Sequence, residues 1–181
     1  MYLILNGSWQ EMPFEASIPL VLERPSDFAP FFIKLISTEP FGESWPLVRI
    51  SVLKSTPRLD YLESAGGITV VSKKFVEVVR SLGVNAEFLP VEIFDRRSNT
   101  LLSLEYYVLH FLDFFPAIDM NKSSIQKSGM ITRLYPAKEL EASGKLMIYT
   151  QRPYLVLIHE SVEKIFRDAG LTGCELTSIE S

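Results

Sequence analysis

Side chains able to act as a base or a nucleophile are few in this chain, which holds two histidines, His110 and His159, and one cysteine, Cys174. Acid–base or covalent catalysis needs such a group, or a Ser or Lys, held by an orienting partner. His110 lies inside an apolar run, where a histidine usually serves the core. His159 stands one residue before Glu160 at the start of a predicted helix, the place of an exposed first-turn or capping residue. Cys174, between Gly173 and Glu175 in a predicted strand, reads as a structural thiol. Carboxylates pair at Asp113 and Asp119, around Phe114-Phe115-Pro116, and at Glu139 and Glu141, around Leu140. Neither pair has metal-site company, and the stretch Asp119 to Ser124 offers one carboxylate where a hard-metal loop alternates oxygen ligands. Gly66-Gly67 lacks the Gly-Lys-Ser/Thr of a phosphate loop, and the other glycines form no Gly-x-Gly-x-x-Gly. The residues therefore assign no catalytic group, no metal ligand and no cofactor. A hydrolase using a carboxylate with His110 or His159 is the enzymatic reading left open.

Recognition has better candidates. Glu39 and the proline-bounded run Pro40-Phe41-Gly42-Glu43-Ser44-Trp45-Pro46 mix aromatic anchors with acidic residues, the composition of an interface hot spot, with Glu39, Phe41, Glu43 and Trp45 as its contacts. The competing reading is that aromatics beside prolines pin a long loop onto the core. Asn121 and Lys122 head a second candidate, a polar loop running to Lys127 that can equally be a solvated connection. A scaffold whose small-ligand pocket is built from the aromatic-rich stretches 28–45 and 106–115 is a third possibility.

These residues must be positioned by an alternation of strands and helices. The bursts Tyr2-Leu3-Ile4-Leu5 and Ile18-Pro19-Leu20-Val21-Leu22 predict two short strands around a loop. Four prolines from Pro25 to Pro46 predict irregular chain with short strands. Leu47 to Leu53 alternates as a strand, Val48, Ile50 and Val52 facing one way and Arg49 and Ser51 the other, until Thr56-Pro57 ends it. Ile68-Thr69-Val70-Val71 then leads through Ser72, a plausible N-cap, into a helix over about 72–82, with Phe75, Val78, Val79 and Leu82 on one face and Gly83 as its left-handed stop. A strand over Glu87–Phe94 follows, and Pro90 argues that it is an edge or bulged strand. Thr100 to Phe115 suits a central strand covered on both faces, with a buried helix as the alternative. Asp119 to Gly129 reads as an exposed loop or hairpin connection, and Leu146 to Thr150 as a strand.

The unit then recurs. Tyr154 to Ile158, a helix over about 159–169, Gly170 and Leu176 to Ile179 superpose on the earlier unit with a shift of 87 positions, so that Val71 falls on Ile158, Phe75 on Val162, Val79 on Phe166 and Gly83 on Gly170. Shared helical period and the default glycine stop explain such a match as well as duplication does. The expected fold class is α+β, a mostly antiparallel or mixed sheet with two main helices, in one domain over 1–181 whose part to about residue 64 is β-rich and whose part from about 65 is α+β.

Composition bounds the function. At 181 residues the chain can bury roughly 70% of its unfolded surface, enough for a core without staples. One cysteine excludes a disulfide scaffold and a cysteine-ligated zinc module. With 22 acidic against 18 basic residues, net −4, the footprint of a nucleic-acid binder is missing. No Lys or Arg precedes Arg24, and the longest apolar stretch, Tyr106 to Ile118, is broken by His110, Asp113 and Pro116 and is shorter than a bilayer span. The expectation is a cytoplasmic protein without a membrane anchor.

The run Ile68 to Phe75 and the run Gly83 to Val91 together resemble a block of the bacterial polymorphic-toxin immunity proteins of the immunity-protein-eleven type. There a Val-Ser-x-x-Phe helix start precedes a Glu-Phe-x-Pro-Val strand. Tyr107 to His110, Ile118-Asp119 with Ser123, and Phe166-Arg167 with Gly170 to Leu176 continue the likeness in order, over the chain from residue 68 onward. The resemblance implies a protein made beside a secreted antibacterial toxin, which it binds and blocks stoichiometrically in the producing cell. It carries over no catalytic residue. It implies that Ser72, Phe75, Pro90, Asp119 and Gly173 serve the fold, and that the toxin is met by the N-terminal part and the loops.

Overall fold

Side-chain alternation sorts the strands into two principal sheets that share an apolar layer. In the computed structural model, residues 1–7, 20–21, 28–52, 58–63, 68–125, 131–150 and 155–179 are described. The elements run β1 (Tyr2–Gly7), β2 (Leu20–Val21), α1 (Phe28–Leu35), β3 (Arg49–Val52), β4 (Tyr61–Glu63), β5 (Thr69–Ser72), α2 (Lys73–Ser81), β6 (Ala86–Asp95) and β7 (Leu101–Phe111). They continue as β8 (Ser124–Ile125), β9 (Ile131–Arg133), α3 (Lys138–Ala142), β10 (Met147–Tyr149), β11 (Val156–His159), α4 (Glu160–Asp168) and β12 (Cys174–Ser178). The fold is α+β.

One sheet has six strands in the order β2-β3-β6-β7-β5-β4, mixed because β3 and β6 are parallel. The other has four, β10-β11-β1-β12, all antiparallel. A short pair, β8 and β9, stands apart as a hairpin. Strands from the first 64 residues interleave with later ones in both sheets: β1 lies between β11 and β12, and β4 pairs with β5.

The alternation of neighbouring side chains defines three layers. Val70, Leu89, Val91, Tyr106 and Val108 point to the outer face of the six-stranded sheet and pack under α1 and the following loop. Their neighbours Val71, Leu109 and Phe111 point inward to a central cluster with Leu3, Leu5, Val156 and Ile158 of the other sheet and with Phe75, Val79, Val162 and Phe166 of α2 and α4. Tyr2, Ile148 and Leu157 point out of the four-stranded sheet, under Ala117, Ile118, Leu134 and Leu140.

Both predicted main helices form as their signals require. Ser72 Oγ accepts from the Phe75 N–H at 3.2 Å, and Gly83 stops α2 at φ +68°. His159 caps α4 in the same way, accepting from the Ser161 N–H. The 87-residue repeat is also a repeat of topology: β5-α2-β6 brackets the antiparallel β7, and β11-α4-β12 brackets the antiparallel β1. Phe75 meets Phe166 edge-on at 5.4 Å where the two helices pack.

Asp60 joins the two units. Its carboxylate accepts from Ser72 Oγ at 2.6 Å, the Thr172 N–H at 2.9 Å and Thr172 Oγ1 at 3.0 Å, while Lys74 lies 3.6 Å away. The N–H groups of Asp60 and Tyr61 both donate to Thr172 O. Burial pushes the Asp60 carboxyl up, but those hydroxyl and N–H donors and the Lys74 charge outweigh it and hold the group below its ordinary value. The backbone approaches so closely here that Gly173, at φ +79°, leaves no room for a side chain against Tyr61 O and Leu59.

Three expectations are corrected. Residues 28–35, expected to be irregular, form α1, because Pro30 falls in its first turn, where an N–H has no intrahelical acceptor to lose. The strand carrying Pro90 is not an edge: β6 lies between β3 and β7. The Leu112 N–H donates to Asn85 O, so odd-numbered β6 residues bond to β7 and Pro90 turns the other way, past the end of β3, while the expected bulges follow it between Val91 and Phe94. Of Thr100–Phe115, Leu101–Phe111 is central strand rather than helix and the chain beyond it is irregular; the strand is covered on both faces only over Tyr106–Phe111, and Leu101 and Leu104 are exposed. The helix α3 and the turn over residues 42–44 add short elements that periodicity does not reveal. The expected loop between the first strands, the Thr56-Pro57 stop, Gly66-Gly67, the loop tip with Lys127 and Gly129, and Tyr154 lie outside the described residues.

Candidate functional site

The aromatic loop is built onto the outer face of the six-stranded sheet. Phe31 of α1 meets Phe41 and Trp45 at ring distances of 5.7 and 5.4 Å, and Phe41 meets Trp45 edge-on at 5.0 Å. Trp45 Nε1–H donates to Pro90 O at 2.8 Å. Phe41 is only 6% exposed. The aromatic rings therefore anchor the segment, the reading in which they pin the loop to the core, and their acidic companions are displayed. Glu39 is 74% exposed at its side chain, and Gly42, Glu43 and Ser44 are exposed beside it. Ile33 of α1 and Leu47 are exposed, at 66% and 44%.

A pair formed by buried His110 and half-buried Glu87 holds the segment from beneath. Glu87 of β6 and His110 of β7 are cross-strand partners, and Glu87 Oε2 lies 3.1 Å from His110 Nδ1. The same carboxylate accepts from the Phe41 N–H at 2.9 Å and, through Oε1, from the Gly42 N–H at 3.1 Å. His110 Nε2 donates to Ser37 O at 2.9 Å, and Phe41 packs edge-on against the imidazole at 5.3 Å. Both ring nitrogens are thus engaged, Nδ1 by the Glu87 carboxylate and Nε2 by the Ser37 carbonyl. Burial pushes the Glu87 carboxyl up, but the Phe41 and Gly42 N–H groups and His110 outweigh it and hold the group below its ordinary value.

The candidate contacts are not one surface. Asn121 and Lys122 lie in the turn after Ile118, in the layer outside the four-stranded sheet, with both sheets between them and Glu39, Phe41, Glu43 and Trp45. That turn is tied locally: the Asn121 N–H donates to Asp119 Oδ1 at 3.1 Å, and Lys122 pairs with Asp119 at 3.4 Å. The remaining chemically able groups are engaged in structure. His159 caps α4 with its Nδ1 2.8 Å from Ser161 Oγ, Asp113 pairs with Lys145 at 2.8 Å, and Glu141 and Glu160 face the N-terminal ammonium. Cys174 Sγ lies 3.9 Å from Thr172 O. Among the described residues no three His, Cys, Asp or Glu side chains converge on a metal position.

Between the described residues of the aromatic stretches 28–45 and 106–115 there is one small space. The space beside Leu35, Val108 and Phe111 is about 20 Å³, whereas an open depression of about 560 Å³ lies along Phe114, Phe115, Ile118, Met120 and Thr150. Among the described residues no helix is long and apolar enough to cross a membrane.

Sequence reading missed Glu87. It carries no motif, and its partnership with His110 exists only in the register of the β6–β7 pair; centring that hairpin on the turn at Ser98-Asn99 is the one signal that brings the two opposite each other. No family model matches the chain, and comparison with curated proteins finds no significant match.

Proposed function

We propose that this chain is an immunity protein that binds and neutralises a cognate secreted antibacterial toxin in the cytoplasm of the producing cell. The observation that carries the reading is the outer layer over the six-stranded sheet. Glu39 and Glu43 are exposed on a segment whose backbone is held by Glu87, whose Phe41 ring is buried and whose Trp45 ring is partly buried, and Ile33 and Leu47 are exposed as well. A prearranged rim of this kind loses little conformational freedom on docking, and its charge suits a basic face on the toxin. The likeness from residue 68 onward to immunity proteins supports the same reading, as does the commitment of both histidines to structural bonds. Blocking would be stoichiometric, through an interface of about 1,600 Å² in total.

Co-expression with the toxin encoded beside the chain tests this. Protected growth and a co-eluting complex on gel filtration are expected, with the double variant Glu39→Lys, Glu43→Lys weakening binding by about ten- to a hundredfold, as charge reversal at an interface does. Loss of viability despite the chain, with no complex, overturns the proposal.

A further inference from the structure

The Glu87–His110 pair does more than fill the core, because every bond it makes outside its own sheet goes to one segment. Ser37 O, the Phe41 N–H and the Gly42 N–H are all backbone groups of the stretch that follows α1. The other holds on that stretch are the Phe41 and Trp45 rings, the Trp45 indole bond to Pro90 O, and Lys34, whose ammonium lies 4.9 Å from the Phe41 ring centre and reaches Ser44 Oγ. Charged groups near the pair are few among the described residues. Lys34 of α1 is 4.0 Å from the exposed carboxylate of Glu39, and among the described residues no lysine or arginine pairs with Glu87.

We propose that Glu87 and His110 form a proton-operated latch: an ionised Glu87 clamps residues 37–45 onto the six-stranded sheet, and a proton taken up by Glu87 frees that segment while both sheets stay folded. The chemistry is direct. The carboxylate accepts three N–H bonds over two oxygens, and a proton on either oxygen turns an acceptor position into a donor that faces an N–H. Bonds to a charged acceptor are about twice as strong as neutral ones, so their loss falls on the segment they hold. The sheets lose none of their own ladder. Because Glu87 is held below the ordinary carboxyl range, release belongs to acid pH. This inference concerns the segment itself and stands whether or not a toxin docks there.

Trp45 reports the latch. With Trp9, the other tryptophan, replaced by Phe, the emission of Trp45 is followed against pH beside the far-ultraviolet dichroism of the sheets. A red shift of Trp45 at a higher pH than the loss of dichroism is expected, and Glu87→Gln should show the shifted emission already at neutral pH. A single coincident transition overturns the latch, as does a Glu87→Gln variant that keeps the parental emission profile. Should Glu87→Gln fail to fold, hydrogen exchange of the unsubstituted protein decides the matter. Protection of the Phe41 and Gly42 amides should fall about tenfold or more as pH drops from neutral to below the ordinary carboxyl range, at about pH 3, while the Val108 and Leu109 amides hold. A parallel fall at all four sites overturns the proposal.

Discussion

Replacing Gly173 by Ala should be among the most damaging single changes in this chain, and the structure gives the size of the effect. A left-handed backbone at φ +79° costs a non-glycine residue roughly 1 kcal/mol. The added Cβ would also fall 2.8 Å from Leu59 Cβ and closer still to Tyr61 O. Rotation of the Leu59 side chain moves its Cδ1 but not its Cβ, and a backbone oxygen cannot rotate away at all. Relief must come from parting the start of β12 from β4, which stretches the bonds that Asp60 N–H and Tyr61 N–H make to Thr172 O, both 3.1 Å, and those from Thr172 to the Asp60 carboxylate. At about 1 kcal/mol for each bond weakened, the total is roughly 3–5 kcal/mol. That is a large part of the roughly 5–15 kcal/mol by which domains are stable. Gly83→Ala is the matched control, since Gly83 sits at φ +68° with open space around the added atom, and should cost roughly 1 kcal/mol. Urea unfolding followed by dichroism measures both, with the slope checked for constancy. If Gly173→Ala lies within about 1 kcal/mol of Gly83→Ala at equal slope, the steric argument fails.

Two further outcomes follow from the central layer and its carboxylate. Phe75→Ala should cost about 3–5 kcal/mol by urea midpoint, since its fully buried ring touches both Tyr61 and Phe166 and leaves a cavity between α2 and α4; a loss below about 1 kcal/mol would show that the helices do not share one core. Asp60 makes stability depend on acid: its folded-state value lies below the unfolded one, so its contribution is whole above the ordinary carboxyl range and is lost as pH falls through the folded value. Asp60→Asn should lower the urea midpoint at neutral pH and flatten its decline below about pH 4, whereas an acid limb unchanged by the substitution would sink the assignment.

Much of the fold was legible because its signals are local. Ser72 and Gly83 bracket α2 through a cap bond and a left-handed turn, each complete within four residues. Val48 and Ile50 against Arg49 mark β3 by period alone. Where local signals conflict, the reading failed. Pro30 predicts a break by type but not by place, since a proline harms a helix interior and not its first turn. Pro90 predicts an edge or a bulge from its missing N–H; the bulges form just after it, but the edge does not, because this one position needs only to face no acceptor, which the short β3 provides inside a six-stranded sheet.

The site was harder to read for a different physical reason. Phe41 and Trp45 were visible as aromatics in a proline-bounded loop, but whether such rings face solvent or core depends on what lies beneath them, and that is set by residues 45 or more positions away, Glu87 and Pro90. His110 posed the same problem in reverse. Its setting in an apolar run implied burial, and burial of an imidazole demands partners for both nitrogens. One partner comes from strand register and the other from the turn after α1, and neither leaves a trace in the spacing around His110. A buried polar residue in an apolar strand therefore signals that distant backbone must come to it. Here that backbone is the segment that holds Glu39 and Glu43 at the surface, so a buried histidine and two exposed acids belong to one device.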